Sequence, residues 1–138
     1  MSTKFYLDTS IWRDYFEDRK DSLRPLGEFA FQFLKNCARQ KCDILYSVAV
    51  LFELKHQALL LESELPQEFK LVLKIVPVFD AQNKEALQIS KQRRLPFNDV
   101  LHAIIARDNK AVLISRDAHF NALLDIVDSK APEEVFFD

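Results

Sequence analysis

The sequence predicts a three-layer α/β/α sandwich built on a central, mainly parallel sheet. Short apolar runs alternate with helical stretches along the chain, which is the signature of strands joined by helical crossovers. Apolar residues make up 49% of the chain and aromatic residues 12%, ample for a core. Neither an internal repeat nor a long linker divides the 138 residues, so residues 1–138 are expected to form one domain. A chain of that size buries roughly two-thirds of the surface its unfolded form exposes.

The elements follow in order. Residues 4–7 (KFYL) are short, aromatic and aliphatic, as in a strand covered on both faces. Residues 11–16 and 26–37 read as helices, separated by Asp21, Ser22 and Pro25. In the second, Leu26, Phe29, Ala30, Phe33, Leu34 and Cys37 recur at three- and four-residue steps and form a core-facing stripe. Residues 42–47 (CDILYS) are the next strand, and Ser47 is placed to cap a helix over 48–61. Pro66 opens a short helix. Residues 74–79 (KIVPVF) resemble a third strand in which Pro77 suits an edge or the strand's end. A helix covers 81–91, Pro96 breaks the chain, and Asn98 is placed to cap a helix over 99–108. Residues 111–115 (AVLIS) are the clearest strand. A helical turn over 117–124 and a last strand at 125–127 complete the prediction.

Composition excludes several classes of function. One glycine rules out the glycine-rich phosphate loops of nucleotide-binding folds. A formal net charge of -2 gives no support to a strongly basic nucleic-acid binder, although it leaves room for a local patch. Cys37 and Cys42 have neither CxxC spacing nor the density of a disulfide scaffold, and are expected to be reduced thiols of a cytoplasmic protein. Neither a secretion signal nor an apolar run of ~20 residues is present, so no membrane span is expected.

Four acids have suggestive positions. Asp8 follows the first predicted strand and Asp117 follows the strand at 111–115, where ligands of open α/β sheets bind. Glu53 interrupts an otherwise apolar helix, and Asp99 opens another. Taken singly, each has an ordinary structural reading as a cap, a partner of the helix dipole or half of a salt bridge. Taken together they conflict, because two carboxylates ~4 Å apart repel by ~4 kcal/mol at a dielectric near 20. Converging acids raise one another's pKa or recruit a cation. An oxygen-rich site suits Mg²⁺ or Mn²⁺ better than zinc, and such ions assist hydrolysis of a phosphodiester.

With these residues in place the sequence resembles the PIN domain family, and more narrowly its VapC-type toxin ribonucleases. FYLDTSIW, SVAVLFELKH and LPFNDVLHAIIARDNKAVLISRDAHF carry the resemblance in that order, and the late PEE adds to it. The resemblance implies an Mg²⁺- or Mn²⁺-dependent endoribonuclease with Asp8, Glu53, Asp99 and Asp117 as its metal-binding and catalytic acids. Asp8, Asp99 and Asp117 would contact the ion directly or through water, and Glu53 would orient water or complete the ring of acids. Thr9, Ser10 and Ser115 match supporting positions, with Ser10 expected to hydrogen-bond a neighbouring carboxylate. Many relatives carry a further aspartate where this chain has His119. Three roles stand open for it: metal ligand, proton donor to the leaving oxygen, or packing partner of Phe120. The resemblance also implies an RNA substrate, a homodimer and a cognate antitoxin protein.

Lys91, Arg93, Arg94 and Arg116 lie near the proposed mouth in sequence and are candidate phosphate contacts, with solvated surface as the competing reading. Arg13 is ambiguous beside Trp12 and Asp14. Trp12 and Tyr15 read as base-stacking platforms or as core, and His102, one helical turn beyond Asp99, as a site residue or a buried structural one. His56 after Glu53 does not make HExxH, so a metalloprotease is a poor reading, and the cysteines lack a nearby base for covalent catalysis. DTS lacks the second aspartate of the DxDxT motif of dehalogenase-like phosphatases, and the acids and lysine of a receiver domain are not in their expected arrangement. The remaining alternative is a non-catalytic PIN-like interaction or scaffold domain, because residues 50–61 carry more apolar positions than one helical stripe requires.

Overall fold

Phe5, Tyr6 and Leu7 are buried in succession, as expected of a strand covered on both faces. The computed structural model describes residues 3–137. Five strands, β1 (Lys4–Leu7), β2 (Asp43–Tyr46), β3 (Leu73–Ile75), β4 (Val112–Ile114) and β5 (Ser129–Lys130), form one sheet. Their order is β3-β2-β1-β4-β5 and every pair is parallel. Six α-helices join and flank them: α1 (Thr9–Glu17), α2 (Leu26–Gln40), α3 (Val48–Leu54), α4 (Gln67–Lys70), α5 (Asp80–Arg93) and α6 (Phe97–Asp108). Helix α1 packs on α2, and α5 on α6. This is the predicted α/β/α sandwich.

The topology decides where a site can form. From β1 the chain steps outward to β2 and β3, then returns to the other side of β1 as β4 and β5. The order reverses between β1 and β4, and a crevice opens beyond the carboxyl ends of two such strands. Asp8 and Ser115 occupy those ends, and the Asp8 N–H extends the pairing by donating to the Ile114 carbonyl at 2.9 Å. Helix α6 packs against β4. Seven consecutive residues, Val100 to Ala106, are buried, which is the pattern of a helix enclosed on all sides.

Local departures from the prediction have physical causes. Ser47 stands at the N-cap position of α3 but makes no side-chain cap, because its buried hydroxyl meets Tyr6 Oη instead. The helix predicted over 48–61 breaks after Leu54: Lys55 adopts a φ of 57°, and the chain continues as a 3₁₀ turn (Lys55–Gln57) and a π turn (Leu60–Glu64). Its surplus apolar residues sit on the surface, with Phe52 85% exposed. Helix α6 begins at Phe97 directly after Pro96, so Asn98 lies inside the first turn rather than capping it. Pro77 falls beyond β3. The last strand pairs at Ser129–Lys130, not at 125–127, where the Ile126 and Val127 N–H groups turn back onto Leu123.

The lone glycine has a steric reason. A Cβ on Gly27 would lie 2.6 Å from the Asp18 Cα and 2.8 Å from the Asp14 carbonyl, so α2 starts where the end of α1 leaves no room for a side chain. Cys37 and Cys42 are free and buried. Burial pushes both thiols up, which leaves them poor nucleophiles. Among the described residues no helix is long and apolar enough to cross a membrane.

Candidate active site

Asp8 ends the central strand with its side chain only 6% exposed. A carboxylate taken that far out of water needs compensating donors. Two hydroxyls supply them: Ser10 Oγ donates to Oδ2 at 2.7 Å and Ser115 Oγ to the same oxygen at 3.1 Å. Ser115 is shared, since its Oγ also accepts the Asp117 N–H at 3.0 Å. The ends of β1 and β4 are thus tied together by one serine.

Glu53 is held in a comparable way from α3. Its Oε1 accepts Thr9 Oγ1 at 3.1 Å and lies 2.5 Å from His102 Nε2, while its carbonyl accepts Arg13 Nη2 at 2.6 Å. Burial pushes the carboxyl up, but the His102 bond and charge, the Thr9 hydroxyl and the Arg13 charge outweigh it and hold Glu53 below its usual range. His102 is fully buried and continues inward, with Nδ1 2.8 Å from Tyr6 Oη. In buried Asp8 and half-buried Glu53 alike the donors converge on one oxygen, which leaves its twin to other partners.

The third assembly is more open. Asp99, in the first turn of α6, has Oδ2 2.9 Å from His119 Nδ1, and Asp117 Oδ1 lies 3.0 Å from the same nitrogen. Asp117 also caps the following turn by accepting the His119 N–H at 2.9 Å. One ligand atom from each of the three residues falls within 4.8 Å of the others. Burial, then the charges of Asp117 and Asp8, push the Asp99 carboxyl up against the opposing effect of His119. The charge of Asp117 first, and the bond to Asp99, hold His119 protonated to higher pH than usual, against a smaller opposing effect of burial.

The structure therefore brings Asp99, Asp117 and His119 into one group, with Asp8 close enough to act on Asp99 by its charge. Asp8 and Glu53 stand outside that group, Glu53 tied to Thr9 and His102. Carboxylates that raise a neighbour's pKa at a strand-end crevice, with hydroxyls bracing the buried one, are a donor set suited to a hard divalent cation. His119 adds a nitrogen that Mn²⁺ tolerates better than Mg²⁺.

The basic residues are mostly engaged. Arg93 makes a two-pronged pair with Asp125 at 2.8 Å on each prong. Arg116 does the same with Glu133 at 2.6 and 2.7 Å, and its guanidinium lies over the Phe29 ring. Lys91 and Arg94 are exposed at the end of α5. Trp12 is fully buried and Tyr15 packs edge-on against Phe16 and Phe69, so both serve the core. His56 is exposed. Tyr6 and Ser47 carried no functional signal in the sequence beyond a tyrosine mid-strand and a serine at a helix start, yet they extend the polar chain behind Glu53. An open groove of about 380 Å³ adjoins Glu53 and Asn98, with Val48, Phe52, Val78 and Leu101 among its walls.

Solved structures share this fold. VapBC2 from Rickettsia felis bound to a DNA fragment from their promoter matches at 17% identity over 94% of this chain and 98% of that one, with a TM-score of 0.65. FitAcB from Neisseria gonorrhoeae matches at 16% identity over 95% and 99%, TM-score 0.64. A toxin-antitoxin complex from Klebsiella pneumoniae matches at 19% identity over 97% and 100%, TM-score 0.65. Among curated proteins none matches by sequence. The profile of the PIN domain matches residues 5–124, and with the sheet order and strand-end acids this establishes that the chain belongs to the PIN domain family.

Proposed function

We propose that this chain is an Mg²⁺- or Mn²⁺-dependent endoribonuclease of the VapC type, the toxin of a toxin–antitoxin pair, acting as a single nuclease domain over residues 1–138 in the cytoplasm. The observation that carries the reading is the approach of Asp99, Asp117 and His119 to within 4.8 Å beside buried Asp8. Asp8, Asp99 and Asp117 would hold the cation, with Glu53 as fourth acid. The cation, when bound, supplies polarisation of the scissile phosphate and a more acidic water.

The protein's own residues do the rest. Ser10 and Ser115 fix Asp8 through Oδ2, and Oδ1 would be its oxygen for the cation. Glu53, pinned through Oε1, accepts a proton or hydrogen bond from water at Oε2. His119 balances the charge of Asp99 and Asp117 and would be the residue to pass a proton to the leaving oxygen. Lys91 and Arg94 would meet RNA phosphates directly, whereas Arg93 and Arg116 would have to exchange their acidic partners to do so.

The exposed apolar residues of α3 and the groove beside Glu53 support a protein partner as well. A cognate antitoxin or a second copy of the chain would cover them. The same surface favours the alternative of a non-catalytic scaffold. Cleavage of a mixed-sequence RNA panel, with Mg²⁺, Mn²⁺ or chelator, separates the two. Metal-dependent internal cuts that vanish in folded Asp8→Asn and Asp99→Asn support the nuclease. Wild-type rates in folded Asp99→Asn, or no cuts of the panel or of cellular RNA by inhibitor-free protein, refute it.

A further inference from the structure

Glu53 sits on a short helix that breaks one residue later, so its geometry has to come from elsewhere. It comes from a buried polar chain. Ser47 Oγ is 2.7 Å from Tyr6 Oη, Tyr6 Oη is 2.8 Å from His102 Nδ1, and His102 Nε2 is 2.5 Å from Glu53 Oε1. Ser47, Tyr6 and His102 are each fully buried. The chain runs from the start of α3 through the central strand and α6, and back to α3.

Counting protons gives it a direction. A serine hydroxyl, a phenol and a neutral imidazole carry one donor proton each. One arrangement uses each proton once: Ser47 to Tyr6, Tyr6 to His102 Nδ1, His102 Nε2–H to Glu53. The reverse direction needs a proton on Glu53 Oε1, the oxygen that already accepts the Thr9 hydroxyl at 3.1 Å. A ring protonated at Nδ1 alone would set the Nε2 lone pair against a carboxylate oxygen 2.5 Å away. A phenol keeps its proton at neutral pH, so Tyr6 remains a donor.

We propose that His102 is a positioning residue for the nuclease site: Tyr6 holds its ring in the Nε2–H tautomer, and that proton, together with the Thr9 hydroxyl, locks Glu53 through Oε1 and leaves Oε2 as its working oxygen. The first part stands on the hydrogen-bond geometry, and only the working role of Oε2 rests on the ribonuclease reading. Carboxylates that serve a metal are oriented by such outer partners, whose loss typically costs 10–100-fold in affinity or activity.

Two measurements test it. In imidazole ¹⁵N–¹H correlation spectra of metal-free wild type at neutral pH, the signal lost in His102→Gln identifies His102. It is expected to show a proton on Nε2 and none on Nδ1, and Tyr6→Phe is expected to shift the ring toward a mixture. In parallel, Tyr6→Phe should weaken Mn²⁺ binding or lower kcat about 10-fold or more while KM for RNA stays within about twofold. His102→Gln, which keeps an N–H donor for Glu53, should retain more of both than His102→Leu. A proton on His102 Nδ1 in wild type overturns the proposal, as does folded Tyr6→Phe with unchanged Mn²⁺ affinity and turnover. Wild type that cuts no RNA refutes the ribonuclease reading instead, and the tautomer and Mn²⁺ affinities still decide on His102.

Discussion

Replacing Asp99 by asparagine is expected to stabilise the metal-free protein while it destroys the proposed activity. The ligand atoms of Asp99, Asp117 and His119 lie within 4.8 Å of one another. At that spacing two carboxylates repel by about 3–4 kcal/mol at an effective dielectric near 20, and by about 1 kcal/mol in bulk water. The Asp99 side chain is 16% exposed and that of Asp117 37%, so screening keeps the cost at about 1–2 kcal/mol. Attraction to His119 offsets part of it, and loss of a charge in the first turn of α6 costs the variant about 0.3–1 kcal/mol. The net gain is about 0.5–1 kcal/mol, or roughly 2–5 °C in Tm. The sign can be checked against pH. Asp99 has a folded pKa raised above its ordinary value of 3.8, so its contribution to stability is complete below that value and is lost as pH rises through the folded pKa. The advantage of Asp99→Asn therefore grows from about pH 4 upward. Free Mn²⁺ at 100 times its Kd adds about 2.7 kcal/mol to whichever protein binds it, which reverses the ranking in favour of wild type. Urea melts in chelator and in Mn²⁺ read both effects. A variant no more stable than wild type in chelator at pH 7, or equal Mn²⁺ shifts in the two proteins, would refute the reasoning.

Three further outcomes follow from the geometry. Gly27→Ala puts a Cβ against the Asp18 Cα and Asp14 carbonyl, and urea titration should show a loss of about 1–3 kcal/mol. Ser115→Ala removes a donor from buried Asp8 and the acceptor of the Asp117 N–H; a loss of about 1–3 kcal/mol, with weaker Mn²⁺ binding by calorimetry, is expected. Burial pushes Glu133 up, but its pair with Arg116 outweighs this and depresses its pKa. Its stabilising effect is therefore present above its ordinary value, 4.5, and lost as pH falls through the lower folded value. Glu133→Gln should flatten the acid side of the stability–pH profile, and an unchanged profile would count against the pair.

The sheet was legible because its strands are short, apolar and buried, and because punctuation at Pro25, Pro66 and Pro96 separates the helices. The candidate acids drew notice only as a set, Asp8 and Asp117 after apolar strands and Glu53 and Asp99 on apolar helices, because each alone has an ordinary structural reading. What the sequence hid was partnership across distance. Ser47 reads as a cap until Tyr6, 41 positions away, takes its hydroxyl. Nothing in the sequence pairs Arg93 with Asp125 or Arg116 with Glu133, 32 and 17 positions away. The final strand was misplaced because Ile126 and Val127 look strand-like, whereas the paired backbone belongs to the polar edge residues Ser129 and Lys130, as suits an edge guarded by a lysine.

The placement of the acids separates two requirements that compete in any carboxylate cluster. Asp8 and Glu53 are braced by hydroxyls and an imidazole, so each is oriented without a cation. Among the described residues no hydroxyl braces the Asp99 or Asp117 carboxylate in this way, and their charges meet at an exposed imidazole. Set against an aspartate at the same position, His119 changes the sign of the group facing these two acids. An additional carboxylate there would add a repulsion of the size worked out for Asp99 and Asp117, and the metal-free fold would have to withstand it. A histidine relieves that repulsion while keeping a side chain able to bind a divalent cation. His119 therefore favours an acidic cluster that persists without a cation, and the bracing of Asp8 and Glu53 acts to the same end.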